Sequence, residues 1–70
     1  MMPITLVKVG KTAVIRKITG KGSVRQHLAE LGLTVDGKVT VVNQIHGDLI
    51  LQVKNSRIAL DRNLAQRILV

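Results

Sequence analysis

The sequence predicts a mainly β domain: a small, strongly bent barrel of about five short strands, one short helix after the first strand, and a single helical turn before the last. Three observations carry this expectation. Apolar and polar residues alternate in short runs around residues 12–18, 38–45 and 49–53, the period of a half-buried strand. Turn-forming residues punctuate those runs at Gly10-Lys11, Asp36-Gly37, His46-Gly47-Asp48 and Asn55-Ser56. Only residues 23–33 show helical spacing with both ends marked.

Composition sets the limits of the core. Seventy residues make one domain, 1–70, near the lower size for a self-sufficient interior. There is no Cys to staple it and no Phe, Tyr or Trp to fill it. The core must therefore be built from Val, Ile, Leu and Ala, which dominate the 46% hydrophobic content. No apolar run approaches a membrane span or a signal-peptide core, and the expectation is a cytoplasmic protein.

Taken in order, residues 3–10 form an entry arm with Leu6 and Val9 as packing residues. In the first strand, residues 12–18, Ala13 and Ile15 share a face while Ile18 falls out of phase. A β-bulge near Arg16-Lys17 would return Ile18 to the interior and add twist. The helix follows the Gly20–Gly22 loop. Ser23 and Gln26 have capping-box spacing, Gly32 suits a left-handed C-terminal residue, and Leu33 falls where a Schellman turn sets an apolar residue against Leu28. Val24, Leu28 and Leu31 make a narrow apolar stripe. A helix of two turns has no stability of its own in water, so this stripe must plug one end of the barrel.

Gly37 is expected to take positive φ in the turn after the helix. The second strand, Lys38–Ile45, points Val39, Val41 and Ile45 inward. A three-residue hairpin at His46-Gly47-Asp48 pairs Ile45 with Leu49 and Val41 with Val53, which keeps Leu49, Leu51 and Val53 on the inner face. A turn at Asn55-Ser56 then pairs Ile58 with Val53. Asp61 caps a helical turn that folds Leu64 or Ala65 inward, and Ile68-Leu69-Val70 is the last strand. Pairing that strand with the first closes the sheet and hides its edges, an SH3-like architecture.

The formal charge of +7 is concentrated in the first part of the chain. Lys8, Lys11, Arg16, Lys17, Lys21 and Arg25 lie in residues 1–29 without one acid; Glu30, Asp36, Asp48 and Asp61 follow. Such a surface attracts nucleic acid, anionic lipid or an acidic protein face. The missing aromatics narrow the choice. Single-strand binding on small barrels needs stacking platforms, and proline-rich peptide recognition needs an aromatic groove. Phosphate contacts alone give weak, salt-sensitive binding without sequence preference.

Catalysis finds no nucleophile elbow, and the Gly20-Lys21-Gly22-Ser23 loop lacks the length and ending of a P-loop. The candidate catalytic and cofactor residues are therefore none. For a metal the donors are His27, His46 and the four acids, and neither His has a partner at helical ligand spacing. Surface histidines are the expectation, with no metal site. What remains is a protein-interaction module.

Leu28-Ala29-Glu30-Leu31-Gly32-Leu33, Gly37-Lys38-Val39-Thr40-Val41-Val42, Gly47-Asp48-Leu49-Ile50-Leu51-Gln52-Val53, Ser56-Arg57-Ile58-Ala59-Leu60 and the ending Ala65-Gln66-Arg67-Ile68-Leu69-Val70 resemble the FeoA family in order and spacing. Many members carry an Arg before the helix Leu and a Pro-Gly turn after it. His27 and Asp36-Gly37 stand there instead, with one residue more in the turn, as in the Pro-lacking variety of anaerobic Gram-positive bacteria. The resemblance implies a small, non-catalytic, stand-alone accessory of bacterial ferrous iron transport. Such an accessory docks on the cytosolic region of the FeoB transporter, at the inner face of the cell membrane, and modulates its GTPase or Fe²⁺ uptake. Two alternatives stay beside it: a basic barrel that binds nucleic acid or another anionic surface nonspecifically, and a regulatory domain that binds iron directly. Weak self-association through apolar outer strands also stays open.

The candidate partner-binding residues are Lys21, Arg25, Gln26 and His27 on the outer side of the helix and its preceding loop, with Val42 and Ile50 as outward strand residues. Val14 is expected beside the last two.

Overall fold

Without aromatic rings the interior has to be packed by aliphatic side chains, and twelve branched ones with Ala65 are buried in one cluster with no polar group among them. The computed structural model describes residues 1–70. A 3₁₀ turn, Ile4–Leu6, precedes β1 (Thr12–Val14), β2 (Lys17–Ile18), α1 (Gly22–Glu30), β3 (Lys38–Ile45), β4 (Asp48–Val53), β5 (Ser56–Leu60), α2 (Arg62–Ala65) and β6 (Ile68–Leu69). One antiparallel sheet has the order β1-β3-β4-β5, and β2 pairs with β6 in a second. The expected SH3-like barrel is present. It has six strands because the first expected strand is two.

That strand breaks at Ile15-Arg16. The Ile15 amide donates to the Gly37 carbonyl at 2.9 Å and the Arg16 amide to the Leu69 carbonyl at 2.8 Å, so consecutive residues bond into different sheets. The expected bulge is thus a full corner, one residue earlier. It brings both Ile15 and Ile18 into the core, although three residues apart along an unbroken strand would point them to opposite faces. Lys17 opposite Leu69 and Ile18 opposite Ile68 close the barrel between the first and last strands, as expected.

The entry arm packs differently from the expectation. Ile4 is buried and Val7 packs on the core, while Leu6 and Val9 are exposed. A 3₁₀ turn places residues three apart on one side, and Ile4 with Val7 is the pair facing inward.

The hairpin between β3 and β4 is also tighter. His46 and Gly47, with φ of +52° and +87°, form a two-residue turn with positive φ at both positions, the type I′ pattern that matches strand twist. Ile45 therefore lies opposite Asp48, and Val41 opposite Leu51, with a register shift at Val42 between them. The shift turns Ile45 outward, where it is 50% exposed instead of buried. In the next hairpin the turn is Lys54-Asn55, with Lys54 at φ +53°, so Val53 opposes Ser56 and Ile58 opposes Leu51. Val39, Val41, Leu49, Leu51 and Val53 are all buried as expected.

α1 starts one residue before its predicted capping box. Lys21 is the N-cap, in extended conformation, and no side chain caps the helix; Ser23 lies inside the first turn. The C-terminus follows the prediction. Gly32, at φ +92°, donates to Ala29 O at 2.9 Å, and Leu33 donates to Leu28 O at 2.9 Å, the two bonds of a Schellman motif. Leu28 and Leu33 are both completely buried, and Val24 and Leu31 pack on the same cluster. In the turn that follows, Asp36 and not Gly37 takes the left-handed conformation, at φ +72°. Gly37 serves close approach instead: a Cβ there would lie 3.0 Å from the Thr34 carbonyl oxygen. α2 is capped as expected, the Leu64 amide donating to Asp61 Oδ1 at 2.8 Å, with Ala65 fully buried.

Candidate interaction surface

β3, β4, β5 and β1 present their outward residues in rows across the sheet. Thr12, Thr40, Gln52 and Arg57 oppose one another in succession and form a polar row. Thr12 and Thr40 hydroxyls are 2.7 Å apart, Arg57 Nε donates to Gln52 Oε1 at 3.0 Å, and Gln52 Nε2 donates to the Lys54 carbonyl at 2.8 Å. Val14, opposite Lys38, lies on one side of this row. Val42, Ile50 opposite Asn43, and the outward-turned Ile45 lie on the other. The single apolar patch expected from Val14, Val42 and Ile50 is therefore divided. Val42 and Ile50 are half-buried, and Asp48 stands opposite Ile45 beside them, which makes that end less suited to an acidic partner.

The helix side is different. The corner between β1 and β2 carries Arg16 and Lys17 towards α1, where a groove of about 370 Å³ opens between them. Ala29 and Val35 supply its exposed apolar surface, over the buried Ile18 and Leu33; Arg16, Lys17 and Arg25 supply its charge, and no carboxylate lines it. Val35 is 51% exposed there. Arg25 and Ala29, four residues apart, share the face of α1 that looks into the groove, while Leu28 looks into the core.

Of the helix residues singled out from the sequence, only Arg25 joins this groove. Gln26 and His27 are exposed one and two positions further around α1, roughly 100° and 200° away, and Lys21 is exposed at the N-cap. Arg16, Lys17, Thr34 and Val35 were not among the candidates. The signal for Arg16 and Lys17 was the acid-free stretch of residues 1–29 combined with the break in alternation there: a corner frees two consecutive cations to point outward, where a straight strand would have separated them.

No group of three His, Cys, Asp or Glu side chains converges to hold a metal ion. His27 lies on α1 and His46 at the β3–β4 turn. No helix is long and apolar enough to cross a membrane.

Comparison with known proteins agrees with this architecture. The family model described as FeoA domain matches residues 2–70. A Methanocaldococcus jannaschii protein that carries the name Fe(2+) transport protein A is 31% identical over 70 residues, which cover 100% of this chain and 85% of that protein. Among solved structures, an iron uptake regulatory protein, FeoA, superposes with a TM-score of 0.87 at 28% identity, covering 96% of this chain and 89% of that one. The FeoA of Stenotrophomonas maltophilia, solved with zinc and described as a prokaryotic SH3 domain protein, has a TM-score of 0.83 at 23% identity, covering 99% and 88% respectively. A barrel of this topology, matched to the family along nearly its whole length, belongs to the FeoA family.

Proposed function

We propose that this chain is a non-catalytic accessory of ferrous iron transport that works at the inner face of the cell membrane by docking on the cytosolic region of a FeoB-type transporter and modulating its GTPase or Fe²⁺ uptake. Family membership supports the transport context. The observation that carries the docking reading is the groove between β2 and α1, in which three cations surround an apolar floor without an opposing acid. Cations at the rim speed encounter with an acidic face and fix its register, while the apolar floor supplies the area that holds it. A rim charge pair contributes on the order of 0.2–1 kcal/mol each, so the three act chiefly through steering and orientation.

The test is association of the purified chain with the cytosolic G domain of a FeoB-type transporter, followed by titration calorimetry or pull-down. Binding to the native chain and loss on Lys17→Glu with Arg25→Glu support the reading. Absence of association, together with unchanged Fe²⁺ uptake in cells lacking the chain, overturns it.

A further inference from the structure

We infer that the open edge of β1 accepts an extended, acidic segment of a partner protein as an added strand. β1 is the terminal strand of its sheet. On its paired side the Lys11 carbonyl accepts from the Val41 amide at 3.0 Å, and the Ile15 amide donates to Gly37 at 2.9 Å. Ala13 opposes Val39 between them. Antiparallel alternation then directs the amides and carbonyls of Thr12 and Val14 away from β3, towards the open side. An edge of this kind is a template for strand addition.

A second groove, of about 520 Å³, runs along that edge. Met2, Leu6, Val14 and Val70 are among its apolar walls, and Lys8, Lys11 and Arg16 are its charged side chains, with no Asp or Glu among them. Leu6 is 67% and Met2 42% exposed, more than the packing of one small domain requires of two large apolar side chains side by side.

The charges choose the occupant. Edge-to-edge pairing with a second copy would set Lys8, Lys11 and Arg16 against their own counterparts, and like charges brought opposite one another oppose association. A segment in which carboxylates alternate with apolar residues meets both features: alternate side chains of an added strand lie on opposite faces, one set on the apolar walls and the other towards the lysines. This surface shares Arg16 with the helix groove but uses neither Lys17 nor Arg25.

The test titrates the ¹⁵N-labelled full chain with a blocked synthetic peptide in which Glu alternates with Val, and follows amide exchange. Slowing of exchange at Thr12 and Val14 by about tenfold, with affinity lowered about tenfold or more by Lys8→Glu with Lys11→Glu, supports the inference. So does failure of a Lys-Val peptide to bind. Protection absent at Thr12 and Val14, shifts confined to Arg25 and Ala29, or protection that rises with the chain's own concentration before any peptide is added would each overturn it.

Discussion

Leu28 holds α1 to the barrel, because it is the one α1 residue that is completely buried. Leu28→Ala is expected to cost about 2–5 kcal/mol, a large share of what a domain this small has available. Urea unfolding followed by far-UV circular dichroism measures it. Gly32→Ala meets two penalties: an L side chain at φ +92°, and a Cβ 3.2 Å from Val53 Cγ1. Its expected cost is about 1–2 kcal/mol. Arg25→Glu, at an exposed position, should change stability by no more than about 0.5 kcal/mol. That contrast separates the residues that build the surface from those that use it.

Among the elements, α2 shows a side-chain cap that α1 lacks. Asp61→Ala removes the acceptor for the Leu64 amide and is expected to destabilise the protein by about 1 kcal/mol, whereas Ser23→Ala should be near neutral, since Ser23 does not cap α1. Thermal melts of the two variants side by side test the assignment. The strand faces were legible in the sequence because burial depends only on parity. Val39, Val41, Leu49, Leu51 and Val53 keep their inner face although both hairpin turns differ from expectation. Register was not legible. The tight turn at His46-Gly47 removes one residue from the loop and the shift at Val42 removes another from the pairing, and a β-bulge has no composition of its own. Ile45 bears the consequence, exposed where alternation alone would bury it.

For the whole molecule, the legible part was the barrel and its aliphatic core; the illegible part was which cations share a surface. The helix groove depends on a corner at Ile15-Arg16 that brings residues 16 and 17 beside 25 and 34–35. Sequence proximity instead pointed to Gln26 and His27, which helical rotation carries away from it. Because the groove joins charge to apolar surface, partner binding should weaken as salt rises yet persist at physiological ionic strength; binding that vanishes there would reduce the interaction to unspecific electrostatics.

The most direct measurement is a chemical-shift titration of the ¹⁵N-labelled chain with the cytosolic G domain of a FeoB-type transporter. Shifts are expected to centre on Arg16, Lys17, Ile18, Arg25, Ala29 and Val35 and to be abolished in the Lys17→Glu, Arg25→Glu variant while its fold is unchanged. No shifts at all, or shifts centred on Ile45 and Ile50 across the sheet, would contradict that expectation.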